Sequence, residues 1–323
     1  MVAIEPFQGV RPASGKPLDV KSLLRPGPDK RFREAGKTVQ SWLGDGTLTR
    51  DDVSFYIYEQ KLPDGRSRKG LVGALEAAGI EKLGSANPRQ KTESVAASED
   101  TGFQLEPVVC ISEKLPESPD GELLLSFEDE NGTSHRLLRI PADNNYDIGW
   151  AIAVDGLQHL GTGKAMAVVF SADDSWISPV HRMVDTGSIS EKNAQKGISK
   201  ALELTETTLE DVRAGAGRFS LVFKSGKCFA VESESKYMDA RLVQDAILDG
   251  VYKSDEGKGR VTYSYDLDQV LDEMAEKKHD LAIVMKAPSL DLLRETSSKA
   301  PKNVVAFPPE VLGGMIFCPV RRF

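Results

Sequence analysis

The sequence predicts a mixed α+β protein with largely antiparallel sheets and an alternating α/β portion at its C-terminal end. Two observations favour this class. Runs of β-branched and aromatic residues are joined by short turn signals such as Pro63-Asp64-Gly65, which is typical of antiparallel hairpins. In the last third, amphipathic helical runs alternate with short apolar runs. Because 323 residues are too many for one ordinary core, we expect an N-terminal portion over residues 1–141 and a second portion over residues 142–323.

The N-terminal portion begins with an extended piece and continues with a helix over residues 30–43. The spacing of Phe32, Val39 and Leu43 places them on one face of that helix. Residues 85–102 are rich in Ser, Glu and Lys, and we expect them to form a polar surface loop. Strands are predicted where β-branched and aromatic residues cluster, over residues 54–60, 70–75, 105–112, 122–127 and 134–140.

The second portion is predicted to start with two buried strands, 147–154 and 164–170, followed by a long helix over residues 191–212. Ser225-Gly226 is a hairpin signal between two further strands. Apolar stripes with helical spacing, such as the one that starts at Leu267, are interpreted as core. The remaining elements are strands at 219–223, 228–231, 261–265, 281–285, 304–307 and 315–318, and helices at 239–248, 266–277 and from 289.

Composition and charge exclude several classes of function. Lysine and arginine total 41 and aspartate and glutamate total 49, which gives a net charge of −8. A nucleic-acid-binding protein normally carries a basic surface, so nucleic acid is not an expected partner. No run approaches the roughly 20 apolar residues of a membrane span, and no secretory signal is evident. The three cysteines and four histidines are scattered, so we expect a cytoplasmic protein with reduced thiols and no metal site.

The strand that ends in Ile152-Ala153-Val154 runs directly into Asp155-Gly156, called the Asp-Gly corner below. An apolar strand followed by an acid and a glycine is how many α/β folds present a carboxylate and free backbone N–H groups to a ligand. Asp-Gly is also a strong turn pair, so the corner has a purely structural interpretation as well. The sequence leaves both open.

The chain resembles a bacterial and archaeal group known as domain-of-unknown-function family 1015, which is also labelled SpoOJ/ParB-like. The resemblance spans nearly the whole chain, with order and spacing in agreement. It implies a ParB-like central portion around the Asp-Gly corner. The motifs that carry it are Pro6-Phe7-x-Gly9-Val10-Arg11-Pro12, Phe55-Tyr56-Ile57-Tyr58, Gly70-Leu71, Ala153-Val154-Asp155-Gly156, Ile177-x-Pro179-x-His181-Arg182, Pro301-Lys302 and Gly313-Gly314-Met315.

The chain departs from the family pattern in its most polar motifs. Family members continue the corner as Asp-Gly-His-His-Arg-Tyr, whereas this chain has Leu157-Gln158-His159-Leu160. The family's His-Glu-x-Thr motif is absent from Ile80-Glu81-Lys82-Leu83, and its Pro-Lys-Ser-Thr becomes Pro301-Lys302-Asn303-Val304. Each lost charge-assisted phosphate contact costs about 1.5–3 kcal/mol, so we expect reduced phosphate chemistry.

The resemblance implies a pocket for a small anionic ligand or nucleotide, similar to those of ParB-like nucleotide-binding proteins and small-molecule serine kinases. It implies that Asp155 accepts a hydroxyl proton or binds a metal, and that ADP or ATP with Mg²⁺ is the candidate cofactor. The implied ligand- or phosphate-binding residues, with Gly156, Arg182 and Lys302 converging on Asp155, are Arg11, Gly156, His159, His181, Arg182 and Lys302.

Each of these residues also has a simpler interpretation. His159 is a lone imidazole in a short loop, and exposed lysines such as Lys302 are usually solvated. His181 and Arg182 would place a cationic pair over a phosphate, or Arg182 would satisfy carbonyls at a strand end.

Three hypotheses follow from the resemblance and its departures. The first is a divergent member with a partly lost pocket and weak or no catalysis. The second is a phosphotransferase that acts on a small hydroxyl compound, with Asp155 as base and Lys302 as clamp. The third is a non-catalytic partner of a fuller paralogue.

Overall fold

In the computed structural model, the chain forms two compact units. Unit 1 comprises Met1–Trp176 and Phe307–Phe323, and unit 2 comprises Ile177–Ala306. Unit 1 is built on an 11-stranded mixed sheet and unit 2 on a six-stranded antiparallel sheet, which confirms the predicted α+β class. The structure describes residues 2–24, 32–83, 88–113, 115, 117, 120–143, 146–161, 163–185, 189–253, 260–296, 301 and 304–320.

The first part of unit 1 contains twelve strands and three α-helices among its described residues. The strand order across the main path is β5-β11-β7-β12-β4-β3-β9-β8, and β1, β2 and β10 pair beside it. Among the strands that the structure describes in this sheet, only β5 with β11 and β7 with β12 are parallel. The elements are β1 (Ala3–Glu5), β2 (Phe7–Pro12), α1 (Lys21–Leu24), α2 (Phe32–Gly44), β3 (Leu48–Lys61), β4 (Ser67–Glu76), β5 (Glu81–Lys82), α3 (Pro88–Thr101), β6 (Phe103–Gln104), β7 (Val108–Ser112), β8 (Glu122–Glu128), β9 (Ser134–Pro141), β10 (Tyr146–Asp147), β11 (Ile152–Asp155) and β12 (Lys164–Ser171).

The large sheet is buried on both faces, because alternate residues of its central strands point to two different cores. Phe55 and Ile57 of β3 pack in one core, and Tyr56 and Tyr58 pack in the other. This two-sided burial explains why β3 and β4 read as nearly continuous apolar and aromatic runs.

The predicted polar loop over residues 85–102 is wrong, because residues 88–101 form the helix α3. The buried face of α3 consists of small residues, Ser94, Ala97 and Thr101, which give no apolar stripe in the sequence. A Cβ on Gly36 of α2 would lie 2.3 Å from the backbone oxygen of Asp100, so the two helices approach closely. A helix that packs through small residues therefore has the composition of a loop.

Unit 2 is a six-stranded sheet with helices, in the strand order β15-β17-β16-β19-β14-β18. All its neighbouring strands are antiparallel. A core on one face combines Met183, Val222 and Val284 of the strands with the apolar stripe of α7. The elements are β13 (Ser178–Pro179), β14 (His181–Asp185), α4 (Glu191–Ile198), β15 (Glu203–Thr207), α5 (Leu209–Arg213), β16 (Phe219–Phe223), β17 (Cys228–Glu232), α6 (Asp239–Leu242) continued by a π-helix (Val243–Tyr252), β18 (Arg260–Ser264), α7 (Leu267–Ala275), β19 (Leu281–Val284), α8 (Leu290–Thr296) and β20 (Val305–Ala306).

The single helix predicted over residues 191–212 is also wrong. Two short helices, α4 and α5, flank the edge strand β15, which pairs with β17. Thr208 begins α5 with a capping box, in which its hydroxyl accepts from Asp211 N and the Asp211 carboxylate accepts from Thr208 N. The cap marks the start of a separate helix within the predicted one. Thr208 itself has an extended backbone and directly follows the strand β15.

The two units have different limits from the two predicted portions. Residues beyond 141 stay in unit 1 because β11 pairs with β7, and β12 pairs with both β4 and β7. The chain later returns to unit 1 through β21 (Cys318–Pro319), which pairs with β6. Within the described residues, no helix combines the length and apolar composition needed to cross a membrane.

Candidate functional site

The Asp-Gly corner is a sharp chain reversal at the end of β11. Gly156 has a φ of 74°, and a Cβ there would lie 3.0 Å from Pro107 O and 3.1 Å from Val108 Cα. Both the left-handed backbone and the close approach therefore require glycine. The exposed Asp155 accepts a hydrogen bond at its Oδ1 from Gly156 N, 2.6 Å away. The backbone N–H of Gly156, the first donor after the strand, is thus already bonded to the Asp155 carboxylate.

A single 3₁₀ turn over Leu157–His159 follows the corner. His159 N donates to Gly156 O at 2.9 Å, and Leu160 N donates to Leu157 O at 3.2 Å. A longer α-helix starting here would present several free N–H groups and a positive dipole end to an anion. The short turn provides much less of both.

His159 is held by Glu106, a residue that the sequence analysis did not single out. Nε2 of His159 lies 3.3 Å from Glu106 Oε2, and the imidazole side chain is only 2% exposed. Nδ1 is buried and has no hydrogen-bond partner among the described residues. Because the two residues are 53 positions apart, no spacing pattern links them.

Glu106 is placed by close packing against the glycine pair Gly313-Gly314. A Cβ on Gly313 would lie 2.4 Å from Glu106 Cγ. The backbone of Gly314 donates to Leu105 O at 3.1 Å, which fixes the segment that carries Glu106. In the sequence, only the glycine pair indicated this contact. Adjacent glycines often mark a place where another residue packs directly against the backbone.

Arg11 lies in β2 and is engaged in an ion pair within unit 1. Its Nε is 2.9 Å from Oδ1 and 3.2 Å from Oδ2 of Asp51, whose side chain is 2% exposed. The hydroxyl of Tyr56 donates to Asp51 Oδ2 at 3.2 Å. Burial, followed by the nearby Asp51 charge, raises the pKa of Tyr56, which keeps it a donor. The Arg11 charge is therefore largely balanced by Asp51.

The cationic pair expected at His181 and Arg182 stays a prediction, although consecutive residues of a strand such as β14 point to opposite faces of the sheet. Nδ1 of His181 accepts from Met285 N at 3.0 Å. Burial, and next the charge of Arg182, lower the pKa of His181 to about 4, so the imidazole is neutral. One guanidinium nitrogen of Arg182, Nη1, donates to Val180 O at 2.8 Å, as the simpler interpretation expected.

The remaining parts of the expected site stay predictions. Lys302 lies outside the described residues. Asp155 and Gly156 belong to unit 1 and Arg182 to unit 2, and their convergence with Lys302 stays a prediction. In the described parts of the chain, no group of three His, Cys, Asp or Glu side chains is arranged to hold a metal ion. Around the corner, Asp155, Glu106 and His159 can accept or relay a proton, but they provide little positive charge.

Comparison with protein families gives a match over part of the chain. Residues 13–148 match the family described as protein of unknown function (DUF1015). The match supports the expected family resemblance over that segment. None of the curated proteins is similar enough to the chain to count as a match.

Solved structures similar to this chain include two variants of a free serine kinase in complex with AMP. For the first, the TM-score is 0.50 at 15% identity, with 76% of this chain and 91% of that chain covered. For the second, the TM-score is also 0.50 at 15% identity, with 76% of this chain and 92% of that chain covered. At this identity the likeness shows the fold, and the serine kinase fold extends over about three quarters of the chain.

Proposed function

We propose that the whole chain is a divergent member of the DUF1015 family that binds a small anionic ligand or nucleotide at the Asp-Gly corner, with weak or no catalysis. One observation carries this proposal: the polar groups of the corner are bonded to each other. Asp155 accepts from the adjacent Gly156 N, and His159 is paired with Glu106. A scaffold of the right kind is retained, while Oδ1 of Asp155 and Nε2 of His159 are already engaged.

Weak catalysis follows from the charges around the corner. Phosphoryl transfer depends on cations that stabilise the charge on the transferred group. The polar groups identified at the corner above are the carboxylates of Asp155 and Glu106 and the imidazole of His159, and Arg11 is balanced by Asp51. Each absent charge-assisted contact weakens phosphate binding by roughly ten-fold or more.

The choice of ligand rests on the fold. The two similar structures named above contain AMP, which supports an adenine nucleotide as the anionic ligand. The exposed carboxylate of Asp155 at a strand end suits a hydroxyl donor such as a ribose. Any Mg²⁺ would arrive with ADP or ATP, because the described residues form no metal-binding set of their own. The ParB-like label for the region around the corner belongs to this proposal.

The test is thermal unfolding of the full chain with AMP, ADP and ATP, each with and without Mg²⁺, and with serine and phosphoserine. A ligand at 100 times its Kd stabilises the folded state by about 2.7 kcal/mol, so we expect the midpoint to rise by a few degrees with at least one nucleotide. Asp155→Asn should remove that rise. Asp45→Asn is the matched control, since Asp45 is also an exposed turn aspartate that accepts from a backbone N–H.

Three outcomes would count against the proposal. No rise with any nucleotide would contradict nucleotide binding and favour a protein partner such as a fuller paralogue. A rise of the midpoint that persists in Asp155→Asn would show that the nucleotide does not bind at the Asp-Gly corner. Rapid phosphate transfer would contradict the weak catalysis.

A second candidate function, a small-molecule kinase, is favoured by His159, whose Nδ1 has no hydrogen-bond partner within the part of the chain that the structure describes. Glu106 holds the other ring nitrogen, which is how an acid orients a histidine that deprotonates a hydroxyl. For this function we expect phosphate transfer from ADP or ATP to serine or a similar alcohol. His159→Gln should lower the rate by about 10²- to 10⁴-fold while nucleotide binding is kept. Equal rates for the wild type and His159→Gln would exclude His159 as the base.

A further inference from the structure

Unit 2 contains a cavity of about 260 Å³, called the unit 2 cavity below, between the sheet and the helices α5 and α7. Its wall is mainly apolar and includes Val212, Phe219 and Val284, which are buried in the fold. Ligand sites usually occupy about 300–1,000 Å³, so the space fits a small molecule rather than a nucleotide. Among the described residues that line it, none is Asp or Glu.

His181 gives this cavity a hydrogen-bond donor of fixed identity. His181 lines the cavity and is only 2% exposed. Because Nδ1 accepts from Met285 N, the single proton of the neutral ring is on Nε2. Nε2 has no hydrogen-bond partner among the described residues of the chain. This N–H is therefore free to donate to a molecule that enters the cavity.

Lys286 supplies the positive charge at the same cavity. Its side chain is exposed and passes over Gly215, where a Cβ would lie 3.3 Å from Lys286 Cε. Within the described residues its ammonium is in no ion pair. The nearby Asp239 is already held by Arg218 at 2.6 Å.

The other charged groups near the cavity are paired or used. Arg213 forms an ion pair with Asp268. The carboxylate of Asp266, whose charge reaches His181, accepts from Gln269 N as the cap of α7. Among the described residues that line the cavity, the ammonium of Lys286 is therefore left to match one negative charge.

We propose that the unit 2 cavity binds a small monocarboxylate with an apolar body, whose carboxylate accepts from His181 Nε2 and lies beside the ammonium of Lys286. The body of the ligand fills the space against Val212 and Phe219. A phosphate dianion would leave one charge without a partner next to apolar walls, which is unfavourable. This proposal does not rest on the function proposed for the Asp-Gly corner.

The experiment is isothermal titration of the full chain with benzoate and 3-methylbutanoate, and with benzamide as a neutral isostere of benzoate. We expect both acids to bind at millimolar concentration or better, and benzamide to bind at least ten-fold more weakly. Lys286→Met should weaken benzoate binding by about ten- to a hundred-fold. Lys192→Met is the matched control, because Lys192 is an exposed lysine of unit 2 that does not line the cavity.

Two further variants keep the proposal testable without a change of charge. Ala216→Leu places extra volume at the cavity wall and should abolish binding. His181→Asn keeps an acceptor for Met285 N but removes the Nε2 donor, so it should weaken binding about ten-fold.

The proposal is overturned if neither acid binds, if Lys286→Met and Ala216→Leu both bind as the wild type does, or if inorganic phosphate displaces benzoate as well as 3-methylbutanoate does. Asp155→Asn should bind benzoate normally, which separates this test from that of the nucleotide site.

Discussion

At the scale of single residues, the buried histidines His135 and His181 act through their hydrogen bonds rather than through charge. His181 accepts from Met285 N, and His135 lies between Tyr58 OH at 2.7 Å and Asp129 Oδ2 at 3.2 Å. Burial lowers the pKa of both imidazoles. Buried neutral histidines make the folded state sensitive to acid, since the unfolded chain binds protons that the folded chain rejects.

The stability of the protein should therefore fall between neutral pH and pH 4. The pKa of His181 is about 4 in the folded state and 6.5 ordinarily. Between these values the unfolded state binds more protons, so the free energy of unfolding falls by up to about 1.4 kcal/mol per pH unit as the pH decreases. Above the ordinary value the stabilisation is complete, and the total loss is on the order of 3 kcal/mol.

Urea unfolding over this pH range measures the effect. His181→Asn keeps the acceptor for Met285 N and removes the titrating group, so its stability should depend less steeply on pH than that of the wild type. Parallel pH profiles for the two proteins would show that His181 titrates as it does in the unfolded chain. His135 acts in the same direction in both proteins and cancels from the comparison.

At the scale of elements, strands were predictable and small-residue contacts were not. The β3–β4 hairpin was predicted because aromatic and β-branched residues mark strands and Pro63-Asp64-Gly65 marks the turn. Helix α3 was missed because Ser94, Ala97 and Thr101 bury a face that carries no apolar periodicity. The strand β15 was missed because its acidic, half-exposed residues resemble a solvated helix.

The α2–α3 contact can be tested by a substitution that normally stabilises a helix. Gly→Ala within a helix gains up to about 1 kcal/mol from propensity. At Gly36 the new methyl would meet Asp100 O at 2.3 Å, so Gly36→Ala should destabilise the protein by roughly 1–3 kcal/mol instead. Gly44→Ala, in the same helix with nothing within 4 Å, should be neutral or stabilising. Equal midpoints for the two variants in urea would disprove the close helix contact.

At the scale of the whole molecule, the last part of the chain completes unit 1. Phe317 exchanges backbone hydrogen bonds with Val10, at 2.7 and 3.0 Å. The buried Arg68 donates to Phe307 O at 3.3 Å and to Pro309 O at 2.5 Å, and also to Gln60 Oε1 at 2.8 Å. Its guanidinium carbon lies 4.3 Å from the centre of the Phe170 ring. These contacts attach the segment that contains Phe307 and Pro309 to the large sheet.

Loss of Arg68 should detach that segment. Arg68→Met leaves two backbone carbonyls and Gln60 without their donor in a buried place, which should cost roughly 2–4 kcal/mol. Arg66→Met is the matched control, because Arg66 is an exposed arginine of the same hairpin, and its exposed ion pair with Asp64 contributes little to stability. Limited proteolysis after residue 307 measures the detachment of the segment, and urea unfolding measures the loss of stability. An Arg68→Met protein as stable and protease-resistant as Arg66→Met would refute the role of Arg68.

The candidate site was predictable only in part, for a reason of distance along the chain. The Asp-Gly corner was found because strand, acid and glycine are adjacent in sequence. Glu106 was not, because it meets His159 across 53 residues and is placed by Gly313 from the far end of the chain. The opposite directions of His181 and Arg182 follow from strand geometry alone, once β14 is recognised as a strand.

Unit 1 is assembled from two separate stretches of polypeptide, with all of unit 2 encoded between them. During synthesis, unit 2 therefore leaves the ribosome as one uninterrupted stretch, before the last part of unit 1 is made. Unit 1, although most of it is translated first, must wait for its final strand. A nascent chain released before that strand emerges would leave Val10 and β6 without their backbone partners. Such an incomplete unit 1 would be a substrate for chaperones or proteases rather than a smaller working protein.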